Sequence, residues 1–231
     1  MAEPGAYKLL AWLSPAMPVG AYSYSHGLEA AVAAGRVVDA ASLRAYLETV
    51  LRHGSGRQDG LWLRAAYAAT ASGSFEGWSL AEVVATAAAL RPTRELALES
   101  AAQGQALLGV LRQAWPAPAL DALHELCRES RLQPPYAVVL GVASAAHRLP
   151  LEASLVAFLH AFAANLVSAG IRLIPLGQSA GQRLTAALEA TVHDVTAAVM
   201  AGSLDDLGSA APLIDLLSMA HETQYTRLFR S

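Results

Sequence analysis

Proline punctuates the long helical runs of this sequence at their starts and does not interrupt them. Pro118, Pro135 and Pro150 open apolar-periodic stretches that reach Ser130, about Arg148 and Ile174, and Pro92 with Thr93 opens one that reaches about Ala114. Proline suits a first helical turn because its missing N–H would have no helical partner there. Other starts carry polar caps. Asp39 precedes a run in which Leu43, Tyr46, Leu47, Val50 and Leu51 share one face while Arg44, Glu48 and Arg52 take the other. Ser79 with Glu82 three residues on forms a capping box before a further run. A helix begins near Ser25, one long helix is expected from Pro175 and Gly177 to about Ala201, and the last spans Ala211 to Ala220.

Alanine supplies 50 of the 231 residues, which supports the same reading independently of periodicity, since alanine is the best helix former and is depleted in sheets. Runs of Val and Ile with period-two alternation are scarce. No low-complexity linker or internal repeat divides the chain. The expectation is an all-α fold, one compact domain of about ten helices over residues 1–231.

Alanine also accounts for much of the 54% hydrophobic content, so that figure is weak evidence for a membrane protein. Ala153 to Ile174 is long enough to span a bilayer, with Arg172 as its single charge, but it contains His160, Asn165, Ser154 and Ser168 and lacks flanking basic or aromatic belts. It reads as a central helix buried by protein, and no membrane partner is expected. A formal net charge of -3 with no basic block gives no electrostatic footprint for nucleic acid. The lone Cys127 fits a reducing compartment, and the N-terminus lacks the basic and apolar regions of a secretory signal, so the expected location is cytoplasmic.

Three segments do not read as plain helix. Ser14 to Glu29 (SPAMPVGAYSYSHGLE) sets Tyr22 and Tyr24 among the small residues Gly20, Ala21 and Ser23. It is either a loop whose tyrosines pack on the core or an exposed recognition loop, tyrosine being enriched in interfaces. Arg172 to Arg183 (RLIPLGQSAGQR) reads as a stiff corner between two helices, with Gln178 and Gln182 on one face at i, i+4. It is either ordinary corner chemistry, with Arg172 on C-terminal carbonyls, or a partner- or phosphate-facing site. The end of the chain, His221, Glu222, Thr223, Gln224, Tyr225, Thr226, Arg227, Leu228, Phe229, Arg230 and Ser231, combines aromatic and arginine side chains as binding hot spots do. Such a tail is built to dock, on its own core or on another protein.

No Walker A motif, GxGxxG turn or GxSxG elbow occurs, and the seven histidines are scattered, so an enzyme reading has no centre and no cofactor or catalytic residue is expected. His124 and Cys127 at i, i+3 are the nearest approach to a metal pair, which leaves a helical metal-binding protein or carrier as the alternative.

Taken together, SPAMPVGAYSYSHGLE, PLGQSAGQRL and SMAHETQYTRLFRS resemble the UreF family of urease accessory proteins, whose pattern has a Ser-Pro-x-x-Pro-x-Gly loop with Tyr-Ser and Gly-Leu-Glu, an Arg-Leu-x-Pro-Leu-Gly-Gln corner and a His-Glu-x-x-Tyr-x-Arg-Leu-Phe end. The likeness extends through TRELALESAAQGQALL from Thr93. It implies an all-α homodimer without catalytic activity that helps load nickel into urease. Such proteins bind the accessory partner UreD (UreH), and the pair recruits the GTPase UreG and meets the urease apoenzyme. It implies partner binding by Tyr22, Ser23 and Tyr24 in a mobile loop and by Arg227, Leu228, Phe229 and Arg230 in a tail that becomes ordered on UreD, and Arg172, Gln178, Gln182 and Arg183 at the corner and His221, Glu222 and Tyr225 in the terminal motif are expected to bind partners beside them. Lys8 is the only lysine, so any cationic role toward UreG falls to Arg172 and Arg183.

Overall fold

Local capping chemistry sets the helix starts as the sequence implies. Asp39 Oδ1 accepts the Ser42 N–H at 2.8 Å, and Ser79 and Glu82 exchange reciprocal bonds at 2.8 and 3.3 Å. In the computed structural model, residues 5–20 and 22–231 are described. They form α1 (Ala6–Trp12), α2 (Leu28–Ala33), α3 (Ala40–His53), α4 (Ser55–Ser72), α5 (Leu80–Ala89), α6 (Arg94–Ala114), α7 (Pro118–Ser130), α8 (Tyr136–Ala146), α9 (Leu151–Leu173), α10 (Gln178–Ala187), α11 (Glu189–Ala201) and α12 (Pro212–His221), with a 3-10 turn at Leu204–Asp206. No strand is present among these residues. The fold is all-α around one hydrophobic core.

The helix expected to run from Gly177 to about Ala201 is divided at Leu188. That residue is buried, and its N–H is shared between Leu184 O at 3.1 Å and Thr185 O at 3.2 Å. A bifurcated bond of this kind tightens the turn, so α10 and α11 are separated at this one residue on a nearly continuous ladder. The helix buried on every side is α8, where Ala137 through Ser144 are all buried. By contrast α9, with 23 residues and mean hydropathy 1.7, is long and apolar enough by composition to cross a membrane, but half of its apolar window is buried inside the protein. Leu155, Phe158, Leu159, Leu166 and Val167 face the core, and His160 is exposed. α9 packs against α1, α2, α3, α4, α8, α10 and α11, as expected of a central helix, but it keeps Glu152 and Arg172 in water, whereas α8 carries no charge.

The most extensive helix pair is α4 with α8. Their axes come close at Gly141, where a Cβ would strike the Leu63 carbonyl oxygen and meet Ala66 Cβ at 3.0 Å. Gly141→Ala should therefore cost about 1–3 kcal/mol, as overpacked cores do, read as a lower urea midpoint. A loss under about 0.5 kcal/mol, the scale of a neutral surface change, would contradict this packing.

Candidate functional site

Three helix ends converge beneath the C-terminal segment. Glu29 stands in the first turn of α2, Glu95 in the first turn of α6, and His221 in the last turn of α12. Acid at a helix start and imidazole at a helix end are the placements the helix dipole favours. His221 is fully buried, with Nε2 3.0 Å from Glu29 Oε2 and Nδ1 2.7 Å from Glu95 Oε2. A neutral imidazole has one N–H, so satisfying both contacts takes a second proton on the ring or on a carboxyl. Arg227 joins the set, its Nη1 donating to Glu95 Oε1 at 2.8 Å.

The tail is threaded through this set by its backbone. The Leu228 N–H donates to Glu29 Oε1 at 2.7 Å and the Phe229 N–H to Glu29 Oε2 at 3.0 Å. Ser231 Oγ donates to Glu99 Oε2 at 2.7 Å, one turn beyond Glu95 on α6. Burial alone would raise the Glu29 carboxyl, but the Leu228 and Phe229 amides and His221 together hold it below the ordinary glutamate value. Thr93 caps α6 and shares a 2.8 Å hydroxyl contact with Ser218 of α12, which ties the two helices behind the acids.

The N-terminal loop closes over the tail from the other side. The Ser25 N–H donates to the Ser231 carbonyl at 2.6 Å, Ser25 Oγ donates to the same oxygen, and the Arg230 N–H donates to Ser23 O at 2.7 Å. His26 and Gly27 follow with φ of 57° and 77°, a left-handed turn that sends the chain into α2. The strained His26 is held by Tyr46 Oη on its carbonyl and by Ser55 Oγ on its Nε2, both at 2.8 Å. At the corner end of α9 the Arg172 guanidinium lies 4.3 Å from the Phe229 ring centroid and 5.7 Å from that of Tyr22. Its Nη1 donates to Tyr22 O and its Nε to Ser168 O, each at 3.3 Å. Arg172 thus meets the carbonyl of its own helix, as the corner reading expects, and it also reaches the N-terminal loop and the tail of the same chain.

The expected residues divide into two groups. Tyr22, Ser23, Arg172, His221, Arg227, Leu228, Phe229 and Arg230 are brought together, with Tyr24 beside them, its hydroxyl pushed up first by burial and then by Glu99 and partly drawn back by Arg230. Gln178, Gln182 and Arg183 stand exposed on α10 and make no side-chain hydrogen bond or ion pair among the described residues. Phe229 is buried, while Tyr22, Tyr225 and Leu228 remain exposed at 72%, 103% and 61%. The tail lies on its own core, and Glu222 borders the groove beside it. The residues that hold it, Glu29, Glu95 and Glu99, were not singled out by sequence, although Glu29 ends the Gly-Leu-Glu motif and Glu95 and Glu99 repeat at i, i+4 in TRELALE.

The alternative metal pair is poorly placed. Cys127 is buried among apolar side chains, which push its thiol up to about 11, away from the thiolate a metal needs. Among the described residues no three His, Cys, Asp or Glu side chains are grouped to hold a metal ion.

A model of the UreF family matches residues 37–189. The chain is 50% identical over 232 residues to urease accessory protein UreF of Rhodopseudomonas palustris strain HaA2, covering 100% of this chain and 96% of that one. It is 49% identical over 229 residues to urease accessory protein UreF of Granulibacter bethesdensis, covering 99% and 95%. The protein of that name from Bradyrhizobium diazoefficiens is 48% identical over 225 residues, covering 97% and 91%.

Proposed function

Because the chain belongs to the UreF family of urease accessory proteins, we propose that it is a non-catalytic scaffold for nickel insertion into urease. It binds UreD (UreH), recruits or regulates the GTPase UreG and meets the urease apoenzyme, as a homodimer in the cytoplasm. The observation that carries this reading is Arg172 lying against both Tyr22 and Phe229, which unites the three atypical segments at one place. The docked tail and loop then present Tyr22, Tyr225, Leu228 and Arg230 outward on a rigid base. Aromatic and arginine side chains held in this way bind at low entropic cost. Arg183, exposed and without an acid partner among the described residues, is the cation on α10 open to UreG.

Co-purification of the full chain with UreD and UreG tests both arms. Leu228→Asp should weaken UreD binding at least tenfold with the helical signal unchanged, because its side chain points out of the fold. Arg183→Ala should keep UreD and lose UreG. Wild-type capture of UreD by the first variant and of UreG by the second would remove the scaffold reading.

A further inference from the structure

Away from the tail, one buried cation has donors that the fold leaves unused. Arg91, in the turn between α5 and α6, pairs through Nη1 with Asp59 Oδ1 of α4 at 2.7 Å, and its side chain is only 7% exposed. That ion pair is a close contact not aligned as a hydrogen bond, since Asp59 Oδ1 is itself buried without a hydrogen-bond partner, and the opposite edge of the guanidinium, Nε and Nη2, is likewise buried and unpartnered. That edge is the side-on fork that takes both oxygens of a carboxylate, so the residue is paired on one side and vacant on the other.

Arg91 and Ser100 line both a small interior cavity of about 50 Å³ and an outer groove of about 270 Å³. The two sides differ in charge. The cavity contains Asp59 and Glu99, whereas no acid lines the groove, which adds the exposed Arg94 to a wall of Ala97, Leu98 and Pro135. Arg94 makes no ion pair among the described residues. In a chain of net charge -3 this is a local positive site with an apolar rim. Its volume is below the roughly 300–1,000 Å³ of small-molecule pockets, which suits a side chain or two from another protein.

We propose that this groove receives an acidic side chain of a partner protein, with its carboxylate held side-on by Arg91 Nε and Nη2. Arg94 steers the charge inward, and an apolar neighbour on the partner packs on the exposed Leu98. Nε and Nη2 are out of reach of solvent in the unoccupied groove, so entry includes a small turn of the guanidinium about its Asp59 contact. Arg94 and Leu98 also line the groove beside Leu228 and Arg230, which makes this surface continuous with the docked tail.

The full-length chain, labelled with nitrogen-15, is titrated with acetyl-leucyl-glutamyl-leucine amide and separately with sodium acetate while the Arg91 Nε–H resonance is followed. The peptide should shift that resonance saturably, with acetate at least tenfold weaker. Arg91→Lys keeps the charge but has no fork, and should bind the peptide at least tenfold more weakly. Because either single change disturbs the Asp59 pair, the double variant Asp59→Asn with Arg91→Gln removes both buried charges together and should bind no peptide. An unmoved resonance, or unchanged peptide affinity in either variant, would overturn the proposal. Acetate binding as tightly as the peptide would also overturn it, by identifying a small-anion site. No urease component takes part, so failure here is distinct from failure of the scaffold reading.

Discussion

Glu29→Gln should release the C-terminal segment and destabilise the protein by about 3–5 kcal/mol, the scale seen when one partner of a buried ion pair is removed. Glu29 is 8% exposed at its side chain and serves three donors, His221 Nε2 and the Leu228 and Phe229 amides. A glutamine keeps the shape but puts an NH₂ where one acceptor oxygen stood. At least one of those donors then faces another donor in a buried place. The tail gives way before the helices, since residues 222–231 contribute few buried side chains beyond Phe229 and Ser231. Hydrogen exchange reads the result directly: the Leu228 and Phe229 amides, protected in the wild type, should exchange as an open chain while the α8 amides stay protected. Persistent protection of both tail amides in the variant would show that Glu29 is not the latch.

The same geometry sets a pH dependence. A carboxyl whose folded value lies below its unfolded one contributes stability that is fully present above the unfolded value and lost as pH falls through the folded one. Glu29 is such a group, held down by the tail amides and His221 against its burial. The contribution of Glu29 to tail docking should therefore be intact at neutral pH and be lost only below the ordinary glutamate value of 4.5, read as the pH at which the Leu228 and Phe229 amides lose protection from exchange.

What could be read from sequence here was local. The Asp39 and Ser79 caps depend on residues three apart, and the first turn at Pro118 depends on a single missing N–H, so each was visible in a short window, whereas Pro135 and Pro150 stand one residue earlier than expected, as the caps of α8 and α9. The break at Leu188 was not, because no proline or glycine marks it and the burial of that side chain is set by packing against distant helices. The helix α4 was obscured by Gly56 and Gly60, which are poor helix formers that serve close contacts with Leu51 and Val199. The site shows the same division. Tyr22, Arg172 and Phe229 stood out as aromatic and cationic residues in odd segments, but Glu29 and Glu95 looked like ordinary first-turn acids. Only the fold carries His221 between them, across sequence separations of 192 and 126 residues.

Deleting Thr226 to Ser231 should have the largest effect on function, because it removes Phe229 from under Arg172 and the exposed Leu228 and Arg230 from the surface together. It also strips the two amides from Glu29 and the guanidinium of Arg227 from Glu95, leaving the acids and His221 to be solvated. The loss of two or more hot-spot side chains, each about 2 kcal/mol or more, corresponds to at least a hundredfold in affinity. The decisive measurement is the affinity of purified UreD for the intact and the truncated chain, with helical content and the thermal midpoint of α-helix loss recorded on both. The scaffold account predicts a stable complex with the intact chain and none with a truncated chain that retains its helices. Equal affinity for the two, with the fold intact in both, would contradict it.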